Sequence, residues 1–405
     1  MGTQLRQGRC VSSREPPAEQ GRTRSSEVHR RLAGADRHVM LSRERLRTRL
    51  SLHQPRQIAT YRGLDDGHVV TLAGRVLADG PAAIPEDDHD WFDNLVTTYR
   101  RFRSRYLADV ELRVEYGGHQ ALARSGADGY YEIEMPSPVF ADDTWVQARV
   151  SLADDSIVAE QPVLRVPQAS GIGIISDIDD TILHSGINDW RTVAQLTFLH
   201  NARTRKPLPG VAALYAALQA GGSGTAKHPV FYVSSSPWNL YDLLDDFMDL
   251  NDIPPGPIFL RDVRTFFGPG GHEHKLERTR SLIQRMPQLR WVLMGDSGQD
   301  DAELYAEAAR EFGGRIAAVY IRDVEPHAPS RRDGGVDRHI ESIAGTGVPM
   351  LRVVDSTEVA RHAASLGLVC AAAMAEVAAD VELDRERPSV GEAAVDEALT
   401  AGSRS

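Results

Sequence analysis

The chain has 405 residues, of which 41% are hydrophobic and 25% charged, an ordinary globular composition with room for two domains or one large domain with extensions. No apolar run reaches the roughly 18 residues of a membrane-spanning helix, the N-terminus lacks the apolar core of a secretory signal, and Cys10 and Cys370, at opposite ends of the chain, supply neither a disulfide framework nor metal spacing. The net charge is −11, yet residues 1–50 carry twelve arginines against five acidic residues. The body of the protein is therefore strongly acidic, which argues against nucleic acid as its main partner. A soluble, cytoplasmic protein is expected.

Residues 1–54 show no sustained apolar period and read as a basic, disordered arm. From residue 55 the texture is that of strands. Segments 68–77, 110–116, 130–135, 145–152 and 163–166 are rich in β-branched residues, alternate, or both, and Gly117-Gly118 turns the second of these into a further segment. Residues 90–107 place Trp91, Phe92, Leu95, Tyr99, Phe102 and Tyr106 near helical spacing. The spacing predicts a small antiparallel β-sandwich-like domain over 55–167, with a helical insertion.

Near residue 168 strand–helix alternation begins. Strands are expected at 172–175, 229–233, 257–260, 291–294 and 315–321, with helices at 210–220, 238–250, 274–285 and 302–312. Repeated units of this kind imply an α/β fold, a parallel sheet with helices on both faces, over 168–370. Residues 371–405, rich in alanine and acid, read as a loosely attached tail.

The stretch 171–181 organises this region. It ends an apolar strand on Asp177, Asp179, Asp180 and Thr181. Ligands of open α/β sheets bind beyond the carboxyl ends of the strands. Carboxylates crowded there repel one another, a cost that a hard divalent cation such as Mg²⁺ removes. Three more strand tips add to the picture. Ser234 and Ser235, before a helix near Trp238, offer hydroxyls and backbone N–H groups suited to phosphate; a serine-rich N-cap is the plain alternative. Lys275 is one of three lysines, with Lys206 and Lys227, and sits near a helix start where the macrodipole does not favour it. That position suits a phosphate partner as well as a solvated surface lysine. His272 and His274 beside it complete no zinc set and read as loop residues. Finally, Gly295-Asp296 ends an apolar strand, with Asp300 and Asp301 in the next turn.

The order Asp177-x-Asp179-x-Thr181, Ser234, Lys275, Gly295-Asp296 with Asp301 resembles the four motifs of the haloacid dehalogenase superfamily of phosphotransferases. The strings around it, Ser-Ser-Ser-Pro-Trp-Asn at 234–239 and Gly-Asp-Ser-Gly-Gln at 295–299 above all, resemble the catalytic domain of the actin-patch-type phosphatidate phosphatases, a family with many bacterial members. The resemblance covers roughly residues 168–370, and Asp301 fits the family spacing better than Asp300. It implies a haloacid dehalogenase-like Rossmannoid sheet and a Mg²⁺-dependent phosphatase working through an aspartyl-phosphate. Asp177 would be the nucleophile, Asp179 the general acid and base, and Thr181 its support. Ser234, Ser235 and Lys275 would bind phosphate, and Asp177, Asp179, Asp296 and Asp301 would form the metal set. Asp180 has no assigned role.

Residues 184–206 lie where this superfamily often places substrate-selecting elements. Trp190 with Arg203, Arg205 and Lys206 would suit an anionic lipid at a membrane surface, or form an amphipathic helix packed on the core. Phosphatidate, reached by peripheral contact with an anionic membrane, is the expected substrate. A soluble phosphomonoester, transfer to an acceptor other than water, and a non-enzymatic scaffold remain as alternatives.

Overall fold

The structure, a computed structural model, describes residues 57–78, 106–138, 144–169, 171–178, 209–261, 271–297, 300–324 and 333–386. The expected arm at 1–54, most of the helical insertion, Asp179 to Lys206, and the chain beyond 386 lie outside these residues.

Eight strands come first: β1 (Gln57–Thr60), β2 (Gly63–Asp65), β3 (Val69–Leu77), β4 (Glu111–Tyr116), β5 (His119–Arg124), β6 (Tyr130–Pro136), β7 (Trp145–Leu152) and β8 (Val158–Arg165). Instead of two separate sheets, hydrogen bonds join them in one path, β1-β3-β2-β8-β7-β4-β5, with β6 on the other edge of β3. The short β2 makes the join, pairing antiparallel with β3 and parallel with β8. Three residues buried without alternation leave no period to read, so β2 was not legible in the sequence. Alternate side chains from both halves of the path, including Val70 and Leu72 on β3, Leu112 and Val114 on β4, and Val150 on β7, meet in one core.

The second sheet has six parallel strands in the order β11-β10-β9-β12-β13-β14. They are β9 (Gly171–Asp177), β10 (Val230–Pro237), β11 (Ile258–Arg261), β12 (Leu289–Asp296), β13 (Ile316–Arg322) and β14 (Met350–Val353). Seven α-helices accompany them among the described residues: α1 (Val211–Ala220), α2 (Tyr241–Leu250), α3 (Gly271–Arg285), α4 (Asp301–Phe312), α5 (Asp333–Ile343), α6 (Ser356–Ser365) and α7 (Ala373–Glu386). The period-2 geometry of the strands sorts their side chains to two cores. Ile174, Tyr232, Val292 and Tyr320 face one core with α1, α2, α6 and α7. Ile175, Phe231, Leu293 and Val319 face the other with α3, α4 and α5. Near-continuous apolar runs read as strands buried on both faces, and that is what they are.

Two differences from the sequence reading have clear causes. The alanine- and acid-rich stretch after 370 is not loose over its described part. Helix α7 buries Val377 and Val381 in the first of the two cores, and Asp384 accepts a hydrogen bond from the Gly210 N–H at 2.9 Å. Its spread of alanines and acids hid the two valines that carry the packing. Strand β10 also runs on to Pro237 through the serines, with a register shift against β11 between Val233 and Pro237.

The central strand β9 requires Gly173 where it does because a Cβ there would stand 2.6 Å from the ring of Trp291, its register partner on β12. Gly173→Ala should therefore cost about 1–3 kcal/mol, the usual range for overpacking a close-packed core. The check is a lower denaturant midpoint at unchanged slope.

Candidate active site

The chain order of the parallel sheet sets the place of the site. From β9 the chain moves outward to β10 and β11, then returns to the other side of β9 for β12. The crevice at such a reversal, beyond the strand carboxyl ends, is where α/β sheets bind ligands. Asp177 ends β9 and Asp296 ends β12, so both carboxylates stand at the reversal.

Two helices complete the cluster from one face. Helix α3 brings Lys275 and α4 opens with Asp301. The Lys275 ammonium lies 2.8 Å from Asp177 Oδ1 and 2.9 Å from Asp301 Oδ1. The second oxygen of Asp301 accepts the Asp296 backbone N–H at 3.2 Å. All four side chains are buried, Lys275 at 4% exposure and the three acids at 1% or less. Lys275 is thus no solvated surface lysine. Oxygens of Asp177, Asp296 and Asp301 come within 4.8 Å of one another. Like charges this close in a buried site oppose joint ionisation, and one ammonium offsets one of three. The donor set, hard oxygens at the tips of rigid strands, fits a divalent cation such as Mg²⁺.

Asp300 is exposed and Asp301 is buried in the cluster, which separates the two adjacent acids. Gly295 makes room for this arrangement, since a Cβ on it would sit 2.6 Å from Asp301 Oδ2 and 2.8 Å from the Tyr305 ring.

Ser234 follows Val233, the residue paired with Asp177 across β9 and β10. It is fully buried, and its Oγ accepts the Ser236 N–H at 2.9 Å. The register shift at the serines bends this strand end beside the site, as bulges near active sites do. Ser235 is half-buried beside it. Asp179, Thr181, Trp190, Arg203, Arg205 and Lys206 fall outside the described residues.

Residues that the sequence did not single out surround the cluster. Ser176 donates to the Asp177 carbonyl at 2.6 Å, and the Tyr215 hydroxyl on α1 bonds to the same Ser176 Oγ. Burial, with a contribution from the Asp177 charge, raises the Tyr215 phenol. Tyr305 donates to the Met294 carbonyl at 3.1 Å, and burial raises its phenol too, with Asp301 and Asp177 adding to the effect. Arg322, at the end of β13, shares a cavity of about 20 Å³ with Tyr215 and Asp355. Burial lowers its guanidinium to about 10. Helical spacing showed that α1 packs, but not which of its residues would meet the strand that ends on Asp177.

His274 lies on α3 and not in a loop. Burial first, then the charges of Arg278, Arg261 and Lys275, lower its pKa from 6.5 to about 4.

Residues 172–323 match the family described as "Phosphatidate phosphatase APP1, catalytic domain". Over 157 residues the chain is 36% identical to phosphatidate phosphatase APP1 of Saccharomyces cerevisiae, covering 38% of this chain and 26% of that protein. The segment is thus similar to the APP1 catalytic-domain family. An uncharacterized protein of Schizosaccharomyces pombe is 29% identical over 215 residues, 49% of this chain and 34% of its own length. The chain thus spans about a quarter to a third of the length of these two curated relatives. Among solved structures, a HAD family hydrolase of Deinococcus radiodurans aligns with 50% of this chain and 98% of its own at 17% identity and a TM-score of 0.32, too low to argue from.

Two outcomes check this geometry. Lys275→Met leaves the buried acids without their ammonium, and losing one partner of a buried pair costs about 3–5 kcal/mol. Its melting temperature in chelator should drop, and added Mg²⁺ should raise it more than it raises the wild type; equal Mg²⁺ responses would count against a cation at these acids. For His274, the unfolded chain binds a proton near pH 6.5 and the native chain only near 4, so stability is lost as pH falls through that window. His274→Gln should flatten the acid side of the melting profile between pH 6.5 and 4.

Proposed function

We propose that this protein is a Mg²⁺-dependent phosphatase of haloacid dehalogenase type, hydrolysing phosphatidate to diacylglycerol and phosphate through an aspartyl-phosphate. The observation that carries the reading is the Lys275 ammonium set between Asp177 at the tip of β9 and Asp301 at the start of α4, beside Asp296 at the tip of β12, in a segment that matches the APP1 catalytic-domain model.

In this reading a carboxylate oxygen of Asp177 attacks phosphorus as the ester P–O bond breaks, and Asp179 protonates the departing alkoxide. Asp179, held by Thr181, then takes a proton from water as that water attacks phosphorus. The bond to Asp177 breaks and orthophosphate leaves. Mg²⁺ held by Asp177, Asp296 and the Asp179 carbonyl, with Asp301 behind them, would supply the positive charge that lets an anionic nucleophile meet an anionic phosphate. Lys275 and the Ser234–Ser235 strand end would neutralise the phosphoryl oxygens, where positioning and electrostatics supply most of the catalysis. Asp301 has a further use in this scheme, since its contact with Lys275 aims the ammonium at the reacting group.

The lipid part of the reading draws on the relative's name and on Trp190, Arg203, Arg205 and Lys206 as a segment suited to an anionic surface. No helix among the described residues is long and apolar enough to cross a membrane, so access would be peripheral.

The test is Mg²⁺-dependent phosphate release from dispersed phosphatidate beside a panel of soluble phosphomonoesters, with Asp177→Asn as the blank. Release from phosphatidate that falls at least about a thousandfold in the variant, as loss of a covalent nucleophile predicts, supports the proposal. Activity confined to soluble esters keeps the chemistry and discards the lipid. Inactivity on every ester favours the scaffold alternative.

A further inference from the structure

Among the described residues, two sets of contacts run from the first sheet to helices beside the second, and both lead to phosphate-binding residues of the proposed site. At the first, the segment after Ser234-Ser235-Ser236-Pro237 is gripped from the two-residue link between β1 and β2. The Tyr61 ring stacks on Tyr241 with centroids 4.0 Å apart and on Trp238 at 5.2 Å, and Tyr130 of β6 joins the cluster, 5.2 Å from Trp238 and 6.5 Å from Tyr61. The Arg62 N–H donates to the Tyr241 hydroxyl at 2.6 Å. Its guanidinium nitrogen Nη2 reaches Asp245 at 2.9 Å and Asp249 at 2.8 Å, one turn apart on α2. The Arg62 side chain is buried at 8% exposure and Asp245 at 7%, where removing the cation would leave the Asp245 carboxylate in a poor solvent for charge.

At the second place, Arg285 in the last turn of α3 donates to Asp66 Oδ2 at 2.8 Å and to Thr71 Oγ1 at 3.2 Å from each terminal nitrogen. Lys275 sits ten residues earlier on the same helix, about 15 Å along its axis. A helix pinned at one end directs its other end. Leu64, Leu164 and Val166 of the first sheet join α3 in one core.

We infer that the N-terminal sheet is a positioning part of the active site: Tyr61 and Arg62 hold the segment that continues from Ser234, and Asp66 and Thr71 hold the helix that delivers Lys275. This rests on the phosphatase reading above. Asp177 and Asp296 end neighbouring strands of the second sheet and Asp301 opens α4, so the nucleophile and the acids are carried by elements other than the first sheet. The two phosphate-binding groups are set by the first sheet as well. The site is then complete only when both sheets are in place, and a partner or ligand on the first sheet could act on turnover through these two contacts.

The experiment uses the full chain. Arg62→Met removes the shared cation. Arg62→Lys restores a point charge, which a single nitrogen between two carboxylates allows, unlike a bidentate fork. Steady-state kinetics on p-nitrophenyl phosphate and competition by orthophosphate are measured with hydrogen exchange of peptides covering 230–250. In a folded Arg62→Met, KM and the orthophosphate inhibition constant should rise roughly tenfold, a scale expected for a misplaced binding group. Exchange at 234–240 should quicken, and Arg62→Lys should recover most of each change. If Arg62→Met fails to fold, Asp249→Asn on the half-exposed acid and Arg285→Met on the second contact carry the same test. An active wild type whose folded variants keep KM, inhibition and exchange overturns the inference. A wild type inactive on every ester overturns the phosphatase reading instead, and exchange then decides the two contacts: quickened in Arg62→Met they stand, unchanged they fall.

Discussion

The ammonium of Lys275 between Asp177 and Asp301 is the contact on which the rest of the site depends. Three buried carboxylates, two at strand tips and one at a helix start, repel one another, and the ammonium offsets part of that repulsion. Each comes from a different element: Asp177 from β9, Asp296 from β12, Asp301 from α4, and the lysine from α3. The ion pairs therefore tie one strand and two helices at one point, and the backbone N–H of Asp296 on Asp301 brings in the second strand.

That arrangement makes chemical sense of the sheet order. A parallel sheet that reverses between β9 and β12 opens a crevice at the strand ends, and polar side chains can be presented there without spoiling either core. The strands below are apolar on both faces, with Ile174 and Ile175 turned to opposite cores. Rigid packing beneath a charged tip is what holds a nucleophile in one orientation. Tyr215 and Tyr305 add to it from the two faces, one bonded to Ser176 and one to the Met294 carbonyl.

The first sheet acts on the other half of the site. Its aromatic stack on Trp238 and Tyr241 and its paired acceptors for Arg285 reach the segment after Ser234 and the helix of Lys275. An eight-stranded sheet attached to a catalytic domain could be a passenger. Its contacts fall instead on the elements that meet the phosphate in the proposed reading.

The sequence by itself determined the acidic strand tips. An apolar run of strand length ending on Asp177 or Asp296 identifies both the strand and its functional end, because burial below and charge at the tip follow from local composition. Most strands and helices of both regions were legible for the same reason, each carrying its own period. What the sequence could not decide was which distant groups meet. Lys275 looked like either a phosphate ligand or a surface lysine, and Asp300 competed with Asp301, since exposure depends on what packs above a helix start. The three-residue β2, the two valines that anchor α7, and the roles of Tyr61, Arg62, Tyr215 and Tyr305 were likewise settled only by the tertiary structure. Each depends on contacts between residues from 39 to more than 150 positions apart, or from 11 apart in the case of Tyr305, and no local pattern encodes a partner at that range.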